Sequence, residues 1–254
     1  MDNNTIMYVL KWSDQMDEAF VNDYINIENE VFGGFTKEII NRKFVNNIYG
    51  PSLLTVVYSD GKPIGADSMI RNDINGNMAF ESADTCVSET CRGKGVFSTF
   101  KRKEIEEITK KYNNVIIYGF PNNKSFPGFM KMGWNALRLY PSVFLFPTKF
   151  DKENPTIIDF DYARWLSQSD RKFYYFKVFK RYYLILQGRK HFQMVGRIEP
   201  KAALQFERKK HPGLIRYRST KKRFFNGNGY YGSIITFGIN PIQIPYWKYD
   251  TLLN

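Results

Sequence analysis

Two dipeptides constrain this chain more than any other feature. Asp60-Gly61 and Asn75-Gly76 each interrupt segments rich in apolar and β-branched residues. A tight two-residue hairpin turn needs positive φ, which Asp, Asn and Gly tolerate best, so such pairs return the chain antiparallel. The flanks, Ser52–Tyr58, Lys62–Ile70 and Asn77–Val87, therefore predict a three-strand meander. Ahead of it the sequence predicts a strand over Thr5–Lys11. A helix capped by Ser13 or Asp14 then runs to about Phe32, with Met16, Phe20, Tyr24, Ile27 and Val31 on one stripe. Gly33-Gly34 ends it, and Thr36 caps a second helix through Phe44 and Ile48.

The meander leads into a Gly-rich turn, Arg92–Phe97 (R-G-K-G-V-F), and then a helix from about Gly95 to Lys111. Val96, Phe100, Ile105, Ile108 and Tyr112 form its apolar stripe. A buried strand over Asn113–Phe120 comes next, then a short helix capped by Ser125 and closed by Gly133. Trp134–Leu139 and Ser142–Phe146 read as further strands. A helix N-terminus presents unpaired N–H groups and a positive partial charge, and glycines let an anion approach. The turn is thus a candidate pyrophosphate site. It is not a Walker A loop, because no G-K-[ST] stands at the required spacing. It is not a Rossmann fingerprint, because the strand before it belongs to an antiparallel meander.

Composition narrows the classes. At 43% hydrophobic and 24% charged residues, the chain is globular rather than disordered. No apolar run approaches the ~18–20 residues that span a bilayer, and the polar start lacks a basic leader, so a cytoplasmic location is expected. Cys86 and Cys91 read as reduced thiols. His191 and His211 sit among Lys and Arg without nearby carboxylates, so neither a metal site nor a Ser-His-Asp triad is expected. The net charge of +12 is uneven: residues 1–150 hold 17 basic and 17 acidic side chains, and the whole excess lies in 151–254. That asymmetry predicts two units, 1–150 and 151–254, with different surfaces.

The element order, the Arg92–Phe97 loop after the third meander strand, and the run Pro121–Trp134 (PNNKSFPGFMKMGW) together resemble the GNAT superfamily of acyl-CoA-dependent N-acyltransferases over residues 5–147. Arg92 and Gly95 match the family's R/Q-x-x-G-x-G/A loop, and Phe97 stands where Gly or Ala is usual. Asn122, Ser125, Lys131, Gly133 and Trp134 match the later pattern. The resemblance implies an α/β (α+β) fold, a mixed and mostly antiparallel twisted sheet flanked by helices, with a smaller β-rich C-terminal unit. It implies that Arg92, Gly93, Lys94, Gly95, Val96 and Phe97 hold the CoA pyrophosphate. Thr85, Cys86 and Val87 would face the acyl carbonyl and pantetheine amides, with Asn122 and Ser125 beside the pantetheine arm. Acetyl-CoA would be the acyl donor, transferring directly to a primary amine.

The family's glutamate base, acting through water, falls on Glu81. Asp84 is the other acid of that strand, and in a regular strand residues three apart face opposite sides, so only one can line the cleft. The family's tyrosine acid is replaced by Phe129, leaving Tyr118 or Tyr140 as donors, or CoA departing as a thiolate. A covalent route through Cys86 lacks a paired His or Asp, which favours a plain buried thiol.

The C-terminal unit reads as a truncated GNAT-like repeat: Asp161–Gly196 repeats the helix, strand, turn, strand order of Asn41–Gly65, with strands at Phe173–Phe179, Tyr182–Gln187 and His191–Ile198. Its interleaved Lys/Arg and Phe/Tyr side chains could stack bases. The consecutive Phe173-Tyr174-Tyr175-Phe176 argues instead for a strand buried on both sides, so nucleic acid is not the expected partner. The expected partners are acyl-CoA and a small amine, phosphorylated in keeping with the basic surface. The resemblance extends to GNATs of bacterial surface-sugar biosynthesis, which suggests a nucleotide-linked amino sugar. A homodimer is compatible with this reading. The alternative is a non-catalytic module that binds nucleic acid or a partner through its basic half.

Overall fold

The computed structural model describes residues 5–74, 76–145, 147–153, 157–219 and 233–239. Asn75 of the second hairpin dipeptide and Phe146 of the expected strand end lie outside the described residues. The chain divides into two compact units. The first runs to Ala136 and takes in the late strand from Ile235, and the second begins at Leu137. The division thus falls earlier than the residue 150 read from charge, because a polar composition does not mark where backbone pairing changes sheet.

The first unit opens with β1 (Ile6–Trp12) and α1 (Glu18–Val31). The α1 cap is Asp17, whose carboxylate accepts from Phe20 N at 2.8 Å, rather than Ser13 or Asp14. Ser13 is committed elsewhere: its hydroxyl donates to Phe44 O at 2.9 Å and accepts from Ser52 N at 3.1 Å. Met16 consequently precedes the helix. Thr36 caps α2 (Lys37–Ile40), which continues as a π-helical turn over Asn41–Val45. The meander comes next as β2 (Leu53–Ser59), β3 (Lys62–Arg71) and β4 (Ala79–Val87). Asp60 and Gly61 take positive φ of 50° and 77°, as the hairpin requires. Then come α3 (Val96–Lys111), β5 (Ile116–Gly119), α4 (Phe126–Lys131) and β6 (Asn135–Arg138).

The second unit contains β7 (Tyr140–Val143), α5 (Pro147–Glu153), β8 (Ile157–Ile158), α6 (Phe160–Ser167) and an antiparallel meander of β9 (Phe173–Val178), β10 (Arg181–Gln187) and β11 (Phe192–Ile198). After α7 (Pro200–Ala203), β12 (Glu207–Arg208) and β13 (Ile215–Ser219) join that sheet, in the order β12-β9-β10-β11-β13-β7. Strand β9 ends at Val178, one residue earlier than read. Phe179 sits in the turn at φ 53° and is 87% exposed. Phe144, Phe150, Phe176, Tyr183 and Tyr217 interlock edge-on and stacked inside this unit.

The last strand, β14 (Ser233–Phe237), returns to the first sheet and pairs antiparallel with β5. That sheet runs β1-β2-β3-β4-β5-β14-β6. Within it β4 pairs parallel with β5, the two joined by the α3 crossover. Helix α3 covers one face, where Ile105 and Ile108 pack with Trp12, Leu53, Met69, Phe80 and Ile117. Helix α1 lies against β2, β3 and β4.

Phe97, bulky where a small residue was expected, points into the α3–α4 interface. Its ring meets Phe129 edge-on at 5.0 Å and Phe100 at 5.6 Å. It fits because position 128 is glycine: a Cβ there would lie 2.7 Å from the Phe97 ring. Gly128→Ala should therefore lower stability by about 1–3 kcal/mol in urea unfolding. The cost should shrink in a Phe97→Leu background, and an equal cost in both backgrounds would refute this packing.

Candidate active site

Strand β4 organises the site. Its pairing with β5 runs from Ala79–Ile116 to Ser82–Gly119 and stops there, while β4 continues to Val87. Beyond Ser82, the strand edge turned toward β5 has no ladder partner among the described residues. Gly119 permits the tight approach at the end of the pairing, since a Cβ there would lie 3.1 Å from Ser82 O. The Gly-rich turn follows β4 after one 3-10 turn, Glu89–Cys91. Arg92 Nε donates to Val87 O at 3.1 Å, folding the turn back onto the end of β4. Gly93 and Gly95 take φ of 77° and 79°. Gly95 is the α3 N-cap and has no side chain with which to close the helix end, and the first turn holds no acid. The loop residues Arg92, Gly93, Lys94 and Gly95 are exposed, while Val96 is buried against Val57, Ile64 and Phe100. An exposed helix start of this kind can accept an anion.

Glu81 is almost buried, at 4% exposure. Its Oε2 accepts from Asn72 Nδ2 at 2.9 Å and lies 3.3 Å from the Tyr118 hydroxyl. The two candidate catalytic groups, Glu81 and Tyr118, thus touch. The Tyr118 hydroxyl is equally 3.3 Å from Asn72 O. Tyr140, the other tyrosine weighed as an acid, belongs to the second unit's sheet, opposite Ser219.

Asp84 does not obey the alternation expected of a regular strand. The β3–β4 register slips between Ala66 and Ser68, and Asp84 adopts φ 49°. This is a β-bulge, in which one extra residue reverses the facing of the side chains beyond it. Ile70 pairs with Glu81, and Ser68, two residues before Ile70, shares that face. The Ser68 hydroxyl donates to Asp84 Oδ2 at 3.1 Å, so Glu81 and Asp84 share one face instead of opposing each other. Asp84 is paired with Lys43 at 2.7 Å, and the Lys43 side chain is fully buried.

On the opposite face the bulge residue Thr85 donates its hydroxyl to Asp67 Oδ1. Asp67 Oδ2 is paired with Lys101 of α3. Lys101 Nζ also donates to Ser82 Oγ at 2.6 Å and lies 3.3 Å from Glu104 Oε2. Thr55 Oγ1 donates to Glu104 Oε1 at 2.6 Å. Asp67, Lys101 and Glu104 are all fully buried. Burial first, and the Glu104 carboxylate next, hold the Asp67 carboxyl well above the usual carboxylate range, against the pull of Lys101. Sequence reading missed this network. The only signal was that Glu104 stands midway between Phe100 and Ile108 of the apolar stripe, one helical turn from each, with Lys101 a turn before it.

Cys86 is buried, and its thiol lies 3.4 Å from Glu28 Oε1. Burial pushes the thiol up, with the Glu28 charge adding to it, so Cys86 supplies no thiolate. Asn122 Oδ1 accepts from Lys124 N at 2.9 Å and Ser125 N at 3.0 Å. The carboxamide oxygen thus shapes the turn before α4, a task read for Ser125, whose own side chain makes no cap bond to the helix. Phe129 is buried against Trp134 at 4.8 Å.

Burial, and then the Asp84 carboxylate, raise the Glu28 carboxyl from 4.5 to about 9. The folded protein keeps a proton there that the unfolded chain releases, so this group costs stability as pH rises from about 4.5 toward 9. Glu28→Gln, which mimics the protonated acid, should be more stable than the parent at pH 8. The advantage should grow by about 1.4 kcal/mol per pH unit through that window. Urea melts at a series of pH values check this; a gap independent of pH would overturn it.

No family model matches the sequence, and no curated protein matches it. Solved structures do. A GCN5-related N-acetyltransferase from Kribbella flavida aligns at 11% identity with a TM-score of 0.54, covering 91% of this chain and 71% of that one. A conserved Enterococcus faecalis protein of unknown function, described as a probable N-acyltransferase, aligns at 10% identity with a TM-score of 0.55, covering 91% and 72%. Escherichia coli ElaA aligns over 56% of this chain and 93% of its own, at 12% identity and a TM-score of 0.43. At such identities the likeness speaks of the fold, and the two long alignments carry it. The meander opening at Ser82–Gly119, the Gly-capped α3 and these alignments agree: this chain has the fold of the GNAT superfamily.

Proposed function

We propose that the protein is an acyl-CoA-dependent N-acyltransferase, with acetyl-CoA as donor and a primary amine of a small molecule as acceptor. The observation that carries this reading is the end of β4–β5 pairing at Ser82–Gly119, directly upstream of the Gly95-capped α3. The unpaired β4 edge along Thr85, Cys86 and Val87 suits the extended pantetheine arm, which can add to a strand edge. Arg92, Gly93, Lys94, Gly95, Val96 and Phe97 supply the helix start for the pyrophosphate. Asn122 retains its Nδ2 for the arm, with Ser125 beside it.

Direct transfer asks three things of the protein: removal of a proton from the amine, stabilisation of the tetrahedral oxyanion, and a proton for the departing thiolate. Glu81, through a water, takes the amine proton. The nitrogen lone pair forms the C–N bond, and collapse of the intermediate breaks the C–S bond. Tyr118, hydrogen-bonded to Glu81, provides the proton the thiolate takes up. Phe129 leaves no hydroxyl at the family's usual position, and the contact of Tyr118 with Glu81 supports Tyr118 as the acid. The acceptor we favour is a nucleotide-linked amino sugar, whose phosphates suit the basic excess in residues 151–254. The buried state of Glu81 favours a second reading, a non-catalytic module binding nucleic acid or a partner.

Acetyl-CoA at 100 times its Kd should stabilise the protein by about 2.7 kcal/mol, read as a thermal shift. Gly95→Val, strained at φ 79°, should abolish that shift. Thiol release with an amine panel then identifies the acceptor, and Glu81→Gln should slow it about 10²–10⁴-fold with CoA affinity kept. No shift with any acyl-CoA, together with strong, steeply salt-dependent nucleic-acid binding, would replace this reading with the second.

A further inference from the structure

The β4 bulge is held from both faces of the sheet by buried lysines. On one face Lys43, fully buried, pairs with Asp84 at 2.7 Å, and Ser68 donates to the same carboxylate. On the other, Thr85 donates to Asp67, which pairs with the fully buried Lys101. The adjacent residues Asp84 and Thr85 are therefore each tied to a different helical segment, the turn after α2 and the body of α3. The backbone between them cannot rotate without breaking one tether. Asp84 sits at φ 49°, a conformation that non-glycine residues keep only when their surroundings over-determine it. A buried ion pair adds little net stability over apolar packing, so its retention is better explained by the geometry it fixes.

We propose that Lys43 and Lys101 are positioning residues that set the direction of the β4 amides at the bulge, and with it the binding of the acyl-pantetheine arm. This rests on the acyl-CoA reading above. Both lysines are fully buried, and neither belongs to the exposed Gly93–Gly95 loop proposed for the pyrophosphate. Lys101 is further boxed by the Phe100 and Phe129 rings, at 5.6 and 5.8 Å.

The test compares two ligands by calorimetry on the full chain: acetyl-CoA, and adenosine 3′-phosphate 5′-diphosphate, which lacks the pantetheine arm. Lys43→Met and Lys101→Met should each bind the nucleotide within about two-fold of the parent while losing about ten-fold or more in acetyl-CoA affinity, with kcat falling about 10–100-fold, the scale of a misplacement near 1 Å. Hydrogen exchange should speed up at residues 84–87 while Leu53–Val57 of β2 keep their protection. Equal loss for both ligands, or faster exchange throughout the sheet, would reduce the lysines to general stabilisers and overturn the proposal. So would variants that bind acetyl-CoA like the parent. Should Lys101→Met not fold, Lys43→Met decides by the same measurements. A parent chain that binds neither ligand would instead sink the acyl-CoA reading, and this inference with it.

Discussion

Everything proposed for this chain depends on one interruption: β4 and β5 pair for a short distance and then stop pairing at Ser82–Gly119. A parallel pair buried under a crossover helix would ordinarily continue, because unpaired strand edges are costly away from water. Here β4 is diverted by its own bulge, where Asp84 takes a left-handed conformation, and Gly119 lets the two backbones part at close range. The opening is therefore built into the backbone and is not a by-product of surface side chains.

The elements around that opening were largely legible in the sequence because their signals are local. Asp60-Gly61 announced its hairpin, Gly33-Gly34 ended α1, and the two glycines of Arg92–Phe97 placed a helix start. What could not be read depends on pairing register or on the partner of a charge. A bulge is a relation between two strands, so nothing in E-S-A-D-T-C-V shows that Asp84 will abandon the expected face. Likewise K-R-K-E-I-E-E in α3 has the composition of a solvated helix face. Only the packed structure reveals that Lys101 and Glu104 turn inward, to Asp67, Ser82 and Thr55.

The second unit shows the same division. Its meander strands were visible from apolar runs and their turns, and Phe144, Phe150, Tyr174, Phe176, Tyr183, Phe192 and Tyr217 pack together in one core. For these side chains, core packing is the role observed. Phe179, by contrast, is held at positive φ and exposed. Among the described residues no helix is long and apolar enough to cross a membrane.

Strand β14 carries a consequence for how the chain comes to be folded. Ile235 is fully buried in the core of the first sheet, opposite Gly119, although almost the whole second unit lies between them in sequence. During synthesis the strands of the meander and α3 precede the second unit, yet their sheet lacks its place-holder between β5 and β6 until Ser233–Phe237 has left the ribosome. A nascent chain therefore exposes an unfilled strand slot from the time Arg138 is made until Ser233 follows, the kind of edge that invites mispairing. The first unit, which carries the candidate chemistry, thus completes its sheet only after Leu137–Ile234 of the second unit has been made.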